Sequence, residues 1–168
     1  MLALKVLDQI RVYSPSAANL LLSKALPWII PSSAGYGIRV EELTAERAVS
    51  SLPLRRKTRN HVGSMYFGVQ MTLAEMTMGI LLFKHFPPGP YNLLVVRSEA
   101  DFHAKAKGAL RAICDPSEEV WQTLSAVDSN ETGKAQCFVP VRLVTAKEGT
   151  LVTEARFLAA LKRFAPKH

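Results

Sequence analysis

Residues 60–83 read NHVGSMYFGVQMTLAEMTMGILLF, and this stretch decides the fold. After Ser64 it places apolar side chains on every side of a helical wheel, with no Gly-Pro break. A helix that is apolar all round must be enclosed by other structure, so we predict a long buried helix. Glu75 is its one charged residue. A buried carboxylate needs either a function or a structural partner, such as Thr72, Thr77 or a backbone group.

Size and composition limit the class of protein. The chain has 168 residues, of which 48% are hydrophobic and 21% charged, so we expect one folded domain and no disorder. The net charge of +7 favours an anionic partner, which could be nucleic acid, a membrane surface or a phosphate-bearing small molecule. Aromatic residues do not alternate with basic ones in the manner that stacks bases, which disfavours nucleic acid.

The cysteines and the N-terminal region indicate the compartment. Cys114 and Cys137 have no CxxC spacing and no nearby histidine cluster, so we predict reduced thiols, no metal site and a cytoplasmic location. The apolar segment 17–30 is interrupted by Lys24 and Pro27, is too short to span a bilayer and lacks a cleavage signal. We therefore expect no membrane insertion.

The chain before the long helix predicts two helices and a hairpin. One helix covers roughly Leu2–Val12, and the next begins after Ser14-Pro15, where serine can cap and proline suits the first helical position. Residues 36–54 alternate between apolar and polar types on either side of a turn, as in a hairpin. We predict a helical segment, residues 1–34, that packs on a single domain formed by residues 35–168.

The chain after the long helix predicts four strands. Residues 96–106 alternate between small or apolar types and charged types, which indicates a strand with one face in water. The two faces carry Ser98, Ala100 and Phe102 on one side and Arg97, Glu99 and Asp101 on the other. Further strands are predicted over 110–114, 135–144 and 151–161, with a short helix from Asp115 to Val127. Antiparallel strands around one apolar helix define an α+β fold.

The element order and the residues around the long helix resemble a known family. Arg59–Ser64, then Gly68, then Leu73-Ala74-Glu75, are similar to the hotdog-fold acyl-CoA thioesterases of the phenylacetyl-CoA-thioesterase-like branch. Within that branch they most resemble short bacterial proteins known as a domain of unknown function. The resemblance covers about residues 35–164. It implies a hotdog fold, in which an antiparallel sheet wraps around a long central helix, and a homo-oligomer, either a dimer or a dimer of dimers.

The resemblance also assigns roles to individual residues. Glu75 falls on the family's helical acid, which acts as nucleophile or general base. Asn60 falls on an Asn or Asp in the loop before the helix, which implies a catalytic role in positioning water or the carbonyl; the alternative is that Asn60 only caps this loop. Gly68 matches the second glycine of the family's His-Gly-Gly turn, although this chain has Tyr66-Phe67 where the family often has His-Gly. The residues implied in oxyanion or substrate binding are Tyr66, Phe67, Gly68 and, displaced from the family position, His61.

Thioester hydrolysis needs an oxyanion stabiliser together with a carboxylate nucleophile or an activated water. The first turn of a buried helix supplies unpaired N–H groups, here near Met65–Gly68. From Tyr66 to Glu75 is nine residues, or about 13–14 Å of helix. One carbonyl cannot contact both ends, so we expect the two groups to come from different subunits of a dimer.

A basic run precedes the helix and completes the functional hypothesis. The run consists of Arg55, Arg56, Lys57 and Arg59. These side chains either bind the phosphates of coenzyme A or form an ordinary solvated loop. We predict an acyl-CoA thioesterase whose only cofactor is the coenzyme A of its substrate. The alternative is a hotdog protein that binds acyl-CoA or a fatty acyl ligand without turnover.

Overall fold

The computed structural model describes residues 9–164. Residues 9–13 are helical, so most of the helix predicted over Leu2–Val12 lies outside the described residues. The longer elements are α1 (Pro15–Ile29), β1 (Arg39–Leu43), β2 (Ala48–Leu52), α2 (Phe67–His85), β3 (Tyr91–Phe102), β4 (Leu110–Cys114), α3 (Glu118–Ser125), β5 (Lys134–Thr145) and β6 (Leu151–Arg163). The predicted α+β class is confirmed.

All six strands form one antiparallel sheet in the order β1-β2-β4-β5-β6-β3. The strand β3 therefore pairs with β6 alone and forms one edge of the sheet. Ser98, Ala100 and Phe102 share the predicted face, since each pairs with a buried residue of β6. The predicted bounds 96–106 are wrong, because the strand ends at Phe102, and Ser98 and Phe102 are exposed, so water reaches both faces of this edge strand. The charged residues of β3 lie on the opposite face, where Glu99 forms ion pairs with Arg97 and Arg156.

The long helix α2 packs against the inner face of β2, β4, β5 and β6. The prediction that it is buried on every side is wrong, because Glu75 is exposed. Gly68, Thr72 and Gly79 are only half-buried, and they share a stripe of the helix with Glu75 because residues three and four apart lie on one face. The sheet covers one side of α2, and no described residue buries this stripe.

The helix α1 packs along β1, with Asn19 Nδ2 donating to the backbone oxygen of Glu41 at 2.9 Å. Its start follows the prediction: the Ser14 hydroxyl accepts from the Ala17 N–H at 3.3 Å and Pro15 is the first helical residue. The helix continues past Pro27 to Ile29. The boundary between a helical segment and a domain at residues 34 and 35 stays a prediction.

No helix within residues 9–164 combines the length and the apolar character needed to cross a membrane.

Candidate active site

The first turn of α2 presents two free backbone donors. The N–H of Met65 donates to the Ala106 oxygen and that of Tyr66 to the Thr58 oxygen, both at 2.9 Å. The N–H groups of Val69 and Gln70 are satisfied by the Tyr66 oxygen. Among the described residues, the N–H groups of Phe67 and Gly68 have no acceptor. These two amides lie at the positive end of the helix dipole and can bind an anion or an oxyanion.

A buried glutamine holds this first turn in place. Gln70 Nε2 donates to the Met65 oxygen at 3.0 Å, and Gln70 Oε1 accepts from the Thr153 hydroxyl at 2.7 Å. Both side chains are buried. The start of α2 is thus tied to β6. Sequence reasoning missed this role, although a glutamine inside an apolar run already signals that buried partners are needed.

Three half-exposed aromatic rings form a wall beside the free amides. The rings of Tyr66 and Phe67 have centroids 4.7 Å apart, and Phe67 meets Phe102 edge-on at 6.4 Å. The Tyr66 ring lies over Gly68, where an added Cβ would come within 2.7 Å of Tyr66 Cε1. A side chain at position 68 would therefore push the Tyr66 ring away from the helix start. The structure brings together the predicted residues Tyr66, Phe67 and Gly68.

Glu75 stands two turns further along α2 with its carboxylate in solvent and with no hydrogen bond or ion pair to any described residue. The alternative that Glu75 is a buried acid bonded to Thr72, Thr77 or a backbone group is wrong. The Thr72 hydroxyl donates to the Gly68 oxygen at 2.8 Å, and the Thr77 hydroxyl donates to the Leu73 oxygen at 2.7 Å. Neither hydroxyl bonds to the acid. The carboxylate is open to a substrate, a water molecule or a second protein chain.

Asn60 shapes the loop before the helix. Its Oδ1 accepts from the N–H groups of Val62 and Ser64 at 3.1 and 3.0 Å, in a turn stabilised by the asparagine side chain. Its side-chain nitrogen has no acceptor among the described residues and is the one group that it can offer to a ligand. His61 is exposed at the tip of this loop. The catalytic role of Asn60 and the binding role of His61 stay predictions.

The basic run divides into two pairs. Lys57 Nζ donates to the Ala34 oxygen at 2.7 Å, and the Arg55 guanidinium lies against Gly37. These two side chains contact the segment that follows α1. Arg56 and Arg59 are exposed and make no side-chain bond within residues 9–164, so they are the members of the run available to a phosphate.

No group of three or more His, Cys, Asp or Glu side chains in the described part of the chain is arranged to hold a metal ion.

Several solved structures that share this architecture are described as thioesterases. A Pseudomonas aeruginosa protein of unknown function, described as a probable thioesterase, is 28% identical with a TM-score of 0.73, over 85% of this chain and 95% of its own. A Haemophilus influenzae thioesterase is 13% identical with a TM-score of 0.67, over 88% of this chain and 92% of its own. A mutant of a Staphylococcus aureus thioesterase is 14% identical with a TM-score of 0.64, over 79% of this chain and 98% of its own.

The hotdog resemblance found in the sequence is confirmed by these neighbours. Residues 18–160 match the profile of a protein family, the domain of unknown function DUF4442. The chain belongs to this family. Among curated proteins, no match is found.

Proposed function

We propose that this protein is an acyl-CoA thioesterase that hydrolyses its substrate to a free acid and coenzyme A. One observation carries the proposal: Glu75 is an exposed, unpaired carboxylate on the open stripe of α2, and the first turn of the same helix presents two free amides. An acid and an oxyanion site are the two components that thioester hydrolysis needs. The P. aeruginosa neighbour described as a probable thioesterase supports the same chemistry.

The reaction begins when the Glu75 carboxylate takes a proton from a water molecule, which attacks the thioester carbonyl carbon. Negative charge develops on the carbonyl oxygen, where the N–H groups of Phe67 and Gly68 stabilise it. The C–S bond then breaks, and the coenzyme A thiolate receives the proton from Glu75. In the nucleophilic form of the mechanism, Glu75 attacks the carbonyl carbon, the C–S bond breaks and the coenzyme A thiolate leaves. Water then hydrolyses the anhydride, which returns the Glu75 carboxylate and supplies the proton that the thiolate takes up.

The Glu75 carboxylate and the free amides of one chain are too far apart to contact the same carbonyl group, so two chains are needed. Gly68 and Glu75 are seven residues apart on one helix, which is about 10 Å of rise. We propose a homodimer, alone or paired into a dimer of dimers, in which the twofold axis brings the helix start of one copy to the acid of the other. The open edge of β3 and the open stripe of α2 are the surfaces that such a partner would cover. The second copy would then complete the enclosure of the helix.

The remaining expectations concern the substrate's coenzyme A moiety. Arg56 and Arg59 are proposed to bind its phosphates, since Arg55 and Lys57 contact the segment 34–37. We expect no cofactor besides this part of the substrate. The cytoplasmic location also stays a prediction.

Thiol release from a panel of acyl-CoAs tests the proposal, with Glu75→Gln compared with wild type. We expect turnover to fall by about a hundredfold or more, with thermal unfolding unchanged. Glu148→Gln, in the exposed turn between β5 and β6, is the matched control and should keep full activity. Activity that survives Glu75→Gln would exclude this acid from the chemistry.

A second function, binding without turnover, is favoured by the Tyr66 ring lying over Gly68 at the helix start. A ring in that position limits the approach of a carbonyl to the two amides. An absence of thiol release on every substrate, together with an intact acyl-CoA that co-purifies and is identified by mass spectrometry, would establish this function.

A further inference from the structure

The N-terminal helical region exposes large apolar side chains that the proposed active site does not use. Within residues 12–29, six such side chains are in solvent, and Trp28 is 87% exposed. The six residues are Val12, Tyr13, Leu20, Leu21, Trp28 and Ile29. Burial of these side chains would be favourable, so a surface with this composition indicates a binding partner.

On α1, three of these side chains, Leu20, Leu21 and Trp28, lie on one face. The buried residues Ala18, Leu22 and Leu26 mark the side of the helix that packs on the domain. Leu20, Lys24 and Trp28 are spaced four residues apart and run along the opposite side, with Leu21 beside them. We call this set, Leu20, Leu21, Lys24 and Trp28, the outer face of α1. It is apolar with a single positive charge at its centre.

The segment that carries the outer face has only positively charged side chains. Residues 9–40 contain no Asp or Glu, and their charged residues are Arg11, Lys24 and Arg39. The basic run lies at the end of α1, because Lys57 Nζ bonds to the Ala34 oxygen, five residues after Ile29. Arg56, next to Lys57 in the chain, is exposed. The carboxylates that follow this segment, Glu41 and Glu42 of β1, form ion pairs with Arg111 and Arg47, so the unpaired charge near α1 is positive.

We propose that the outer face of α1 docks the protein on the surface of an anionic phospholipid bilayer. Tryptophan and leucine enter the boundary between headgroups and acyl chains, which is the region that tryptophan prefers. Lys24 remains at the level of the lipid phosphates. The helix lies in the plane of the interface. This surface is independent of the thioesterase proposal, since neither Glu75 nor the amides of α2 belong to it.

The fluorescence of Trp28 measures docking to the bilayer. The chain has two tryptophans, and Trp121 packs on His85 with ring centroids 4.4 Å apart. Trp121→Phe keeps an aromatic ring there and leaves Trp28 as the sole tryptophan. The full chain is mixed with vesicles of phosphatidylcholine alone or with about 30 mol% phosphatidylglycerol. We expect a blue shift of Trp28 emission and co-sedimentation with the anionic vesicles, both weakened by high salt.

Substitutions on the outer face of α1 distinguish lipid docking from adsorption through net charge alone. Leu20→Ser/Trp28→Ser should lower the partition onto anionic vesicles by about tenfold or more. Lys24→Gln should give a smaller loss on anionic vesicles, and Lys147→Gln, on an exposed turn far from α1 in sequence, should give none. Circular dichroism melting verifies that each variant is folded.

Three results would overturn the proposal. The first is an absence of emission shift and of sedimentation with anionic vesicles. The second is a blue-shifted Trp28 before lipid is added, which would mean that protein already covers this face. The third is an oligomer that Leu20→Ser/Trp28→Ser dissociates in analytical ultracentrifugation, which would make the outer face an interface between copies of the chain.

Discussion

The Thr153 hydroxyl donates a 2.7 Å hydrogen bond to Gln70 Oε1, and this bond joins the first turn of α2 to the last strand of the sheet. Gln70 is 4% exposed and Thr153 is fully buried. Since Gln70 also donates to the Met65 oxygen, one side chain links β6 to the residue that precedes the N-cap of α2. The position of the free amides of Phe67 and Gly68 therefore depends on a contact made by the C-terminal strand.

Thr153→Val removes the donor and leaves Gln70 Oε1 buried without a partner. We expect the free energy of unfolding in urea to fall by about 1–3 kcal/mol. Gln70→Leu should also destabilise, and the double variant should lose less than the sum of the two, because the bond is removed only once. Thr132→Val, on an exposed loop, is the control. Strict additivity in the cycle would show that the bond contributes nothing.

Phe67→Pro removes one of the two free amides without removing the helix. Phe67 is the first residue of α2, a position that accepts proline, and Tyr66 has φ −61° and ψ 137°, which suits the residue before a proline. Phe67→Ala loses the ring alone and is the matched control. We expect kcat of Phe67→Pro to lie about a hundredfold or more below that of Phe67→Ala. Equal kcat values would place the oxyanion elsewhere.

Mixing two inactive variants tests the shared site. In a dimer of Glu75→Gln with Phe67→Pro, one site carries both substitutions and the other carries neither. After subunit exchange at equal concentrations, we expect about a quarter of the wild-type activity to return. If each site were built within one chain, the mixture would remain as inactive as its components.

Arg56→Gln/Arg59→Gln removes the two side chains of the basic run that have no partner among residues 9–164. We expect KM for an acyl-CoA to rise about tenfold, since two charge-assisted contacts to phosphate are lost. KM for the corresponding acyl-pantetheine, which lacks the nucleotide phosphates, should not change. Lys134→Gln, an exposed position at the start of β5, controls for net charge. An equal rise for both substrates would contradict phosphate recognition.

Burial raises the pKa of the Cys114 thiol from 9.0 to about 12, with a smaller contribution from Asp115. The unfolded chain loses this proton near pH 9, whereas the folded chain keeps it. Between these values the unfolded chain binds fewer protons, so the free energy of unfolding falls as pH rises. The contribution is at most about 1.4 kcal/mol per pH unit.

Urea unfolding between about pH 9 and 10.5 measures this dependence, and Cys114→Ala should flatten it. Tyr91 adds to the loss above pH 10, because its hydrogen bond to Asp128 raises the pKa of the phenol. An unchanged slope in Cys114→Ala would mean that the thiol titrates alike in both states.

Local patterns predicted which residues share a face of β3 and where α1 begins, but not the bounds of β3. The alternation of β3 encodes its two faces directly, and Ser14 with Pro15 marked the start of α1. The open side of α2 was not predicted, because a helix that is apolar all round does not show which side lacks a neighbour. The spacing of Gly68, Thr72, Glu75 and Gly79 was the available signal.

The candidate site was predicted in outline. Tyr66, Phe67 and Gly68 are consecutive, so their proximity follows from the chain itself. The bond from Lys57 to Ala34 spans 23 residues and that from Thr153 to Gln70 spans 83, and no local pattern reports contacts at such separations. For this reason the division of the basic run and the anchoring role of Gln70 emerged only from the structure.

The pairing of β3 with β6 sets the order in which the chain can fold during synthesis. Phe102 pairs with Thr153 and Tyr91 with Arg163, so β3 has no partner until the last strand has left the ribosome. At typical translation rates, the roughly 60 residues between the two strand ends take about 3–12 s to make. Throughout that time β3 presents unpaired backbone groups and the apolar side chains of Leu93 and Val95. We therefore expect the nascent chain, in which β3 is still unpaired, to aggregate more readily than the folded protein.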